Sequence, residues 1–250
     1  MTSPTIVRIP SLPLRIVNAH VVLGAGGALL VDAGLPGTER KIEQALRRAG
    51  LGWRDLALIV LTHAHVDHAG AAAAVRARSG APVVAHRAEV PFLAGDAPME
   101  FCPTGRVGRV FARLPLIHEW YAPIAPDVVL EDGAALDLAP FGFSGTVRHA
   151  GGHTRGSLVV ELGARDALVG DLLASGVLIG GMGRVHRPIR PPFEDDPARV
   201  SDELTGLLER GARRFHLGHG GPLGHEAVGR HVTALRTAAV GRVIAQRPKA

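Results

Sequence analysis

Between Leu56 and Gly70 an apolar run ends in Thr62-His63-Ala64-His65-Val66-Asp67-His68, so three imidazoles and a carboxylate fall within six consecutive residues. Leu56–Thr62 has the length and aliphatic content of a buried strand, and the Ala-rich stretch Ala69–Arg78, closed by Gly80, has strong helix propensity. The cluster therefore sits on a strand-to-helix turn. There, side chains i, i+2, i+4 and i+5 can converge in a way that a regular strand or helix forbids. Imidazole and carboxylate are ligands that suit zinc and neighbouring first-row ions. Cys102 is the single cysteine, which excludes an internal disulfide and any cysteine-rich zinc motif. The thirteen histidines and the acids remain as the metal-ligating side chains.

Strand and helix signals alternate on both sides of this turn. Ile16–Leu23 and Ala28–Asp32 read as strands joined by a hairpin turn at Gly24–Gly27, a glycine cluster that lacks phosphate-loop spacing. Thr38–Ala49 reads as a helix with Thr38 as N-cap and Gly50 as its stop, and Pro82–Ala85 as a strand. The pattern loosens over 89–127, where prolines and scattered aromatics suggest an inserted lid or pocket lobe. Strands resume at Val128–Leu130, Ala135–Leu138, Thr146–His149, Ser157–Leu162 and Ala167–Val169. After a Gly/Pro/Arg loop at Gly176–Phe193 come a helix at Pro197–Arg210, a strand at Arg213–Leu217 and a helix at His225–Gln246. Two runs of strands flanked by helices predict an α/β sandwich with two sheets face to face and helices outside. A length of 250 residues with 46% hydrophobic content fits a single domain over 1–250 with one modest lobe.

Charge and hydropathy narrow the function classes. The net charge is +5, but the arginines are spread and no Lys/Arg run exceeds two residues, so no nucleic-acid footprint is expected. Glycines and Asp32 break the longest apolar stretch, and no run approaches the about 20 residues that span a bilayer, so no membrane insertion is expected. Arg8, Pro10, Pro13 and Arg15 interrupt any signal-peptide pattern, which gives a cytoplasmic expectation.

The H-x-H-x-D-H run at 63–68 resembles the signature of the metallo-β-lactamase superfamily, and the later motifs follow in order. Gly152-His153-Thr154-Arg155-Gly156-Ser157 resembles the family's third motif, Gly170-Asp171 its fourth, and His219 in Leu217-Gly218-His219-Gly220 its fifth. The resemblance implies a four-layer αββα sandwich with its site at one edge of the paired sheets. It implies that His63, His65 and His153 hold one metal, that Asp67, His68 and His219 hold a second, and that Asp171 bridges them. Five histidines and two acids also exceed what one tetrahedral ion needs. The implied cofactor is two zinc ions, with iron or manganese as alternatives. Two ions about 3.5 to 4 Å apart can share a water and lower its pKa toward about 7, giving a bridging hydroxide as nucleophile. Asp67 would orient that nucleophile and pass a proton to the leaving group.

The departures from the family's branches bear on substrate, expected to be a small molecule. Asp171 argues against a β-lactamase, since those members usually lack the bridging aspartate. Arg155 stands where glyoxalase II proteins typically have Pro, and only one helix fits after His219, which speaks against glutathione recognition. Hydrolysis of a small ester, thioester or lactone is the leading expectation. The alternatives are a mononuclear iron sulfur dioxygenase acting on persulfides, a phosphodiesterase, and a non-catalytic metal-dependent binding protein. Candidate substrate contacts are Tyr121, the single tyrosine, and His186 and Arg187 in the basic loop 184–190. Phe92, Phe101, Phe111, Leu114, Trp120 and Phe193 either line an apolar pocket or anchor the lobe, and the lobe's apolar residues could support a homodimer.

Overall fold

Successive side chains of a strand point to opposite faces. In the computed structural model, which describes residues 4–163, 165–177 and 183–245, that alternation separates four layers by three apolar cores. The first half runs β1 (Thr5–Pro10), β2 (Asn18–Gly24), β3 (Gly27–Val31), α1 (Glu39–Arg48), β4 (Leu56–Val60), α2 (Val66–Ala69), α3 (Ala72–Ser79), β5 (Val83–His86), α4 (Val90–Leu93), α5 (Gly105–Phe111) and β6 (Val128–Leu130). Its six strands lie in chain order, antiparallel from β1 to β3 and parallel from β3 to β6. The second half runs β7 (Ala135–Asp137), β8 (Gly145–His149), β9 (Leu158–Leu162), β10 (Asp166–Leu168), β11 (Ala174–Ser175), β12 (Pro188–Ile189), α6 (Pro197–Glu209), β13 (Arg214–His216), β14 (Leu223–Gly224) and α7 (His225–Ala245). It forms a six-stranded sheet ordered β14-β13-β10-β9-β8-β7, in which only β10 and β13 pair in parallel.

Leu29, Val31, Leu58 and Val60 of the first sheet meet Val147, Leu158, Val160 and Leu162 of the second in the central core. The intervening residues face outward. Leu30 and Ile59 pack on Ile42 and Leu46 of α1 and Val75 of α3, whereas Val159 and Phe215 pack on Val200, Leu204 and Leu207 of α6 and Val228 of α7. This is the αββα sandwich that the sequence predicts.

At one end the two sheets are sewn together by backbone. Leu158 N–H donates to Thr62 O at 2.8 Å, and Asn18 N–H donates to Gly218 O at 2.8 Å. The Asn18 amide nitrogen also donates to Leu217 O and Gly220 O at 3.2 and 3.1 Å. That stitched end is where the histidine-rich turns emerge.

Several local features differ from expectation. β1 is an edge strand that the prolines around it conceal in the sequence. Thr38 does not cap α1: its buried hydroxyl donates to Ser11 Oγ at 3.0 Å. The single helix expected over 69–78 is two, broken because Gly70 lies against Pro36 and Ala71 N–H donates to Gly34 O. The 89–127 region contains α4 and α5. Loop residues 178–182 and Gln246 lie outside the described residues. Among the described residues no helix is long and apolar enough to cross a membrane.

Candidate metal centre

The turn after β4 carries His63 and His65, and α2 carries Asp67 and His68. The turn between β8 and β9 carries His153, the turn after β10 carries Asp171, and the turn after β13 carries His219. All seven side chains predicted as ligands meet at the stitched sheet edge, and all but Asp67 are buried. Their donor atoms form three overlapping groups, His63/His65/His153, His63/His68/Asp171 and Asp67/His68/His219, each with its atoms within 4.8 Å of one another. His65 Nδ1 lies 3.0 Å from His63 Nε2 and 3.3 Å from His153 Nε2. Asp171 lies between the outer triads, with Oδ2 at 3.0 Å from His219 Nε2 and 3.8 Å from His153 Nε2, and Oδ1 at 3.4 Å from His68 Nε2. Asp67 Oδ2 is 3.4 Å from His219 Nε2 and 3.9 Å from His68 Nε2.

The residues fit metal ions. Ligand atoms about 2.0 to 2.2 Å from one tetrahedral ion stand about 3.3 to 3.6 Å apart, and the separations here, 3.0 to 3.9 Å, bracket that range. His68 Nε2 and Asp171 Oδ1 are buried and have no hydrogen-bond partner among the described residues, a costly state that an ion relieves. Hydrogen bonds on the far side of each ring select the tautomer that offers its lone pair. Thr62 Oγ1 gives its proton to the Asp32 carboxylate at 2.9 Å, so it accepts from His63 Nδ1 at 3.0 Å and leaves Nε2 free. His68 Nδ1 donates to Asp32 Oδ2 at 2.8 Å, His153 Nδ1 to Phe193 O at 2.9 Å, and His219 Nδ1 to Ile16 O. Gly218 is a glycine by necessity, because a Cβ there would lie 2.2 Å from Asp171 Oδ1 and 2.4 Å from His68 Cε1.

Electrostatics divides the seven. Burial first, and then the neighbouring imidazoles, hold His63 and His65 well below the ordinary histidine range. Burial also lowers His153, against the pull of Asp171. For His219 burial acts the same way, yet Asp171 and Asp67 overcome it and lift the ring to about 9. His68 is buried too and is raised by Asp171, Asp32 and Asp67, whereas Asp171, despite burial, is pulled well below the carboxylate range by His219 and His68.

A cavity of about 120 Å³ opens over the candidate ligands. Apart from His65, Asp67, His153, Asp171 and His219, every described lining residue is apolar, from Leu12, Ile16, Val17 and Leu35 to Phe101, Phe111, Leu114 and Phe193. Phe101 stacks on His65 at 4.8 Å. The lobe crosses to the far wall through Thr104 N–H to Pro192 O and Glu194 N–H to Cys102 O. Phe92 and Trp120 line a separate cavity of about 200 Å³ on the lobe, together with Tyr121. The Tyr121 hydroxyl donates to Ala64 O at 2.6 Å. His186 and Arg187 are exposed and line no part of the cavity over the ligands, and Arg190 pairs with buried Glu194.

One further group, His86, Asp132 and His149, gathers within 4.8 Å. Three of its four ring nitrogens are engaged: His86 Nδ1 accepts from Ala88 N–H, His149 Nδ1 accepts from Gly133 N–H, and His149 Nε2 donates to Arg155 O, while His86 Nε2 lies 3.2 Å from the exposed Asp132 carboxylate. The two rings stack at 3.9 Å with planes only 19° apart, so both cannot contain one ion. This pair braces the turn that carries His153.

Two residues at the centre escape sequence reading. Asp32 directly follows β3 at φ 59 and anchors Thr62 N–H, Thr62 Oγ1 and His68 Nδ1 at once. An acid terminating a buried strand beside the ligand-bearing one was the available signal. Glu89 is a buried acid inside the irregular lobe and offered none.

A strand-sandwich with histidine and aspartate side chains gathered at one edge defines a metal-dependent hydrolase class, and the relatives agree. The sequence matches the metallo-beta-lactamase superfamily over residues 12–219, and the chain belongs to that superfamily. It is 33% identical over 179 residues to a probable metallo-hydrolase, YqgX, of Bacillus subtilis (strain 168), covering 71% of this chain and 73% of that one. It is 30% identical to a hydroxyacylglutathione hydrolase of Anaeromyxobacter dehalogenans (strain 2CP-C), covering 81% of this chain and 61% of the relative. A metallo-beta-lactamase family protein from Thermus thermophilus superposes with a TM-score of 0.67 at 26% identity, over 98% of this chain and 82% of that one. The BLEG-1 B3 metallo-beta-lactamase superposes with a TM-score of 0.69 at 23% identity, over 92% of this chain and 99% of its own, a likeness of fold.

Proposed function

We propose that the protein hydrolyses small esters, thioesters or lactones whose acyl portion is apolar and uncharged. The observation that carries this reading is the junction of two ligand triads around Asp171 beneath a cavity with no lysine or arginine among the described residues of its wall. Two bound zinc ions would supply Lewis acidity toward the carbonyl and a nucleophile at neutral pH by lowering the pKa of a shared water. His63, His65 and His153 would hold one ion and Asp67, His68 and His219 the other, with Asp171 between them. Asp67 is the one partly exposed ligand and faces the cavity, so its free oxygen is placed to orient the attacking water and to give a proton to the leaving group. Phe101, Phe111, Leu114 and Phe193 exclude water around the acyl chain and strengthen every charge interaction inside. Residues 89–127 serve as the wall and lid of that cavity, and an acyl group fills it without needing the cations that a tripeptide thiol would require.

Elemental analysis of the purified protein, followed by hydrolysis assays on acyl esters, thioesters, lactones, phosphodiesters and β-lactams, tests the reading. About two zinc ions per chain and turnover of apolar acyl substrates are expected. One iron per chain with oxygen uptake on a persulfide, or preferential phosphodiester cleavage, would overturn it.

A further inference from the structure

Glu89 is 2% exposed, faces no cation among the described residues, and points both carboxylate oxygens at the turns that carry metal ligands. Its Oε2 accepts from Ala64 N–H at 2.8 Å, and Ala64 lies between His63 and His65. Its Oε1 accepts from Thr154 Oγ1 at 2.8 Å and from Gly156 N–H at 3.1 Å, on the turn that carries His153. A buried carboxylate without a cation is costly unless several donors satisfy it, and here all of them come from the two halves of one triad.

The surroundings are built to this carboxylate. A Cβ on Gly156 would lie 2.7 Å from Glu89 Cγ and Oε1, so the motif glycine is what lets the acid reach the turn. Ser157 Oγ accepts from Thr154 N–H and lies 2.9 Å from Thr154 Oγ1, which leaves the threonine proton for Glu89. The opposite end of the Ala64 residue is held by Tyr121 O–H at its carbonyl. His86 caps the short turn that presents Glu89 by accepting from Ala88 N–H. The first and second sheets each contribute one turn, and one side chain gauges the distance between them.

We propose that Glu89 is the positioning residue of the first triad, setting the separation of His63 and His65 from His153 and thereby the affinity of the ion they hold. This rests on the two-ion reading above. It predicts an asymmetry: the second triad, which Glu89 does not touch, keeps its ion when the carboxylate is lost.

Glu89→Gln tests the role at constant size, because an amide presents an acceptor at only one end while donors face both. Zinc titration against a chromophoric chelator should show two ions bound by the wild type. In the variant one of them should weaken by about ten- to a hundredfold, with an unchanged far-UV circular dichroism spectrum. In a His219→Ala background, where the second triad is disabled, Glu89→Gln should weaken the remaining ion by the same factor, and in a His153→Ala background it should change nothing further. Thr154→Val removes one donor and leaves the charge, so it should weaken the same ion by a few-fold. If Glu89→Gln binds two ions as the wild type does, or loses both equally, the proposal is overturned. Should Glu89→Gln not fold, Thr154→Val decides, and an unchanged titration overturns the proposal. Were the wild type to bind a single ion, the two-ion reading would fall, and the proposal would stand or fall on whether Glu89→Gln weakens that ion.

Discussion

The two triads use the same ligand chemistry and hold their protons in opposite ways. His63, His65 and His153 are crowded by one another and by apolar walls, so in the metal-free protein they are neutral at pH 7 with lone pairs exposed to an entering ion. His68 and His219 are as deeply buried but sit among Asp32, Asp67 and Asp171, which raise their affinity for a proton, that of His219 to a pKa of about 9. Neighbouring charge rather than burial decides which of two equally buried imidazoles is ready to ligate. An ion entering the second triad would compete with a proton on His219 that an ion entering the first would not meet.

The largest effect should come from removing the residue the triads share. Asp171→Ala deletes the anion that links them and should reduce hydrolysis on the order of a thousandfold, measured as kcat/KM on the best substrate. Retained activity would mean that the triads work independently. Next is the pH dependence of loading. The His219 pKa of about 9 lies above the ordinary 6.5, so the proton is held below pH 9 and released above it. The weaker zinc affinity should therefore rise by about fiftyfold between pH 7 and 9, while the other stays flat. Two flat affinities, or two rising ones, would erase the contrast.

Asp32→Ala should weaken zinc binding by about ten- to a hundredfold at both triads, because the one carboxylate orients His68 directly and His63 through Thr62. Loss at only one triad would sharpen the division further. The smallest effect concerns His20, buried edge-on against His216 and held well below the histidine range first by burial and then by His216 and Arg8. Its folded pKa is depressed, so its share of stability is present above about pH 6.5 and is lost as pH falls toward the folded value. His20→Gln should lessen the drop in Tm of the metal-free protein between pH 7 and 5 by about 2 to 4 °C. An unchanged or larger drop would assign acid sensitivity elsewhere.

The candidate ligands were legible because a turn packed with His63, His65, Asp67 and His68 has no ordinary structural explanation, and because the motifs around His153, Asp171 and His219 resemble those of the metallo-β-lactamase superfamily. The layers were legible because Leu29/Leu30 and Leu58/Ile59 alternate between two cores. What stayed hidden depends on tertiary neighbours. Thr38 looks like a helix cap until Ser11 arrives from a distant loop, and Glu89 looks like one more acid in an irregular lobe until the turns of both sheets close on it. The apolar aromatics of the lobe split between two cavities, Phe101 and Phe111 over the candidate ligands and Phe92 and Trp120 away from them.

The backbone seam at Asn18 and Gly218 carries a consequence for how the centre comes into being during synthesis. His63, His65, Asp67 and His68 precede His153 by more than eighty residues and His219 by about a hundred and fifty, and His219 Nδ1 pairs with the Ile16 carbonyl that precedes them all. A nascent chain therefore presents the four side chains of the first turn before their partners exist, and neither triad can close until the second sheet has folded onto the first. The seam thus ties the candidate centre to the docking of the two sheets, and metal capture would report that both sheets are in place.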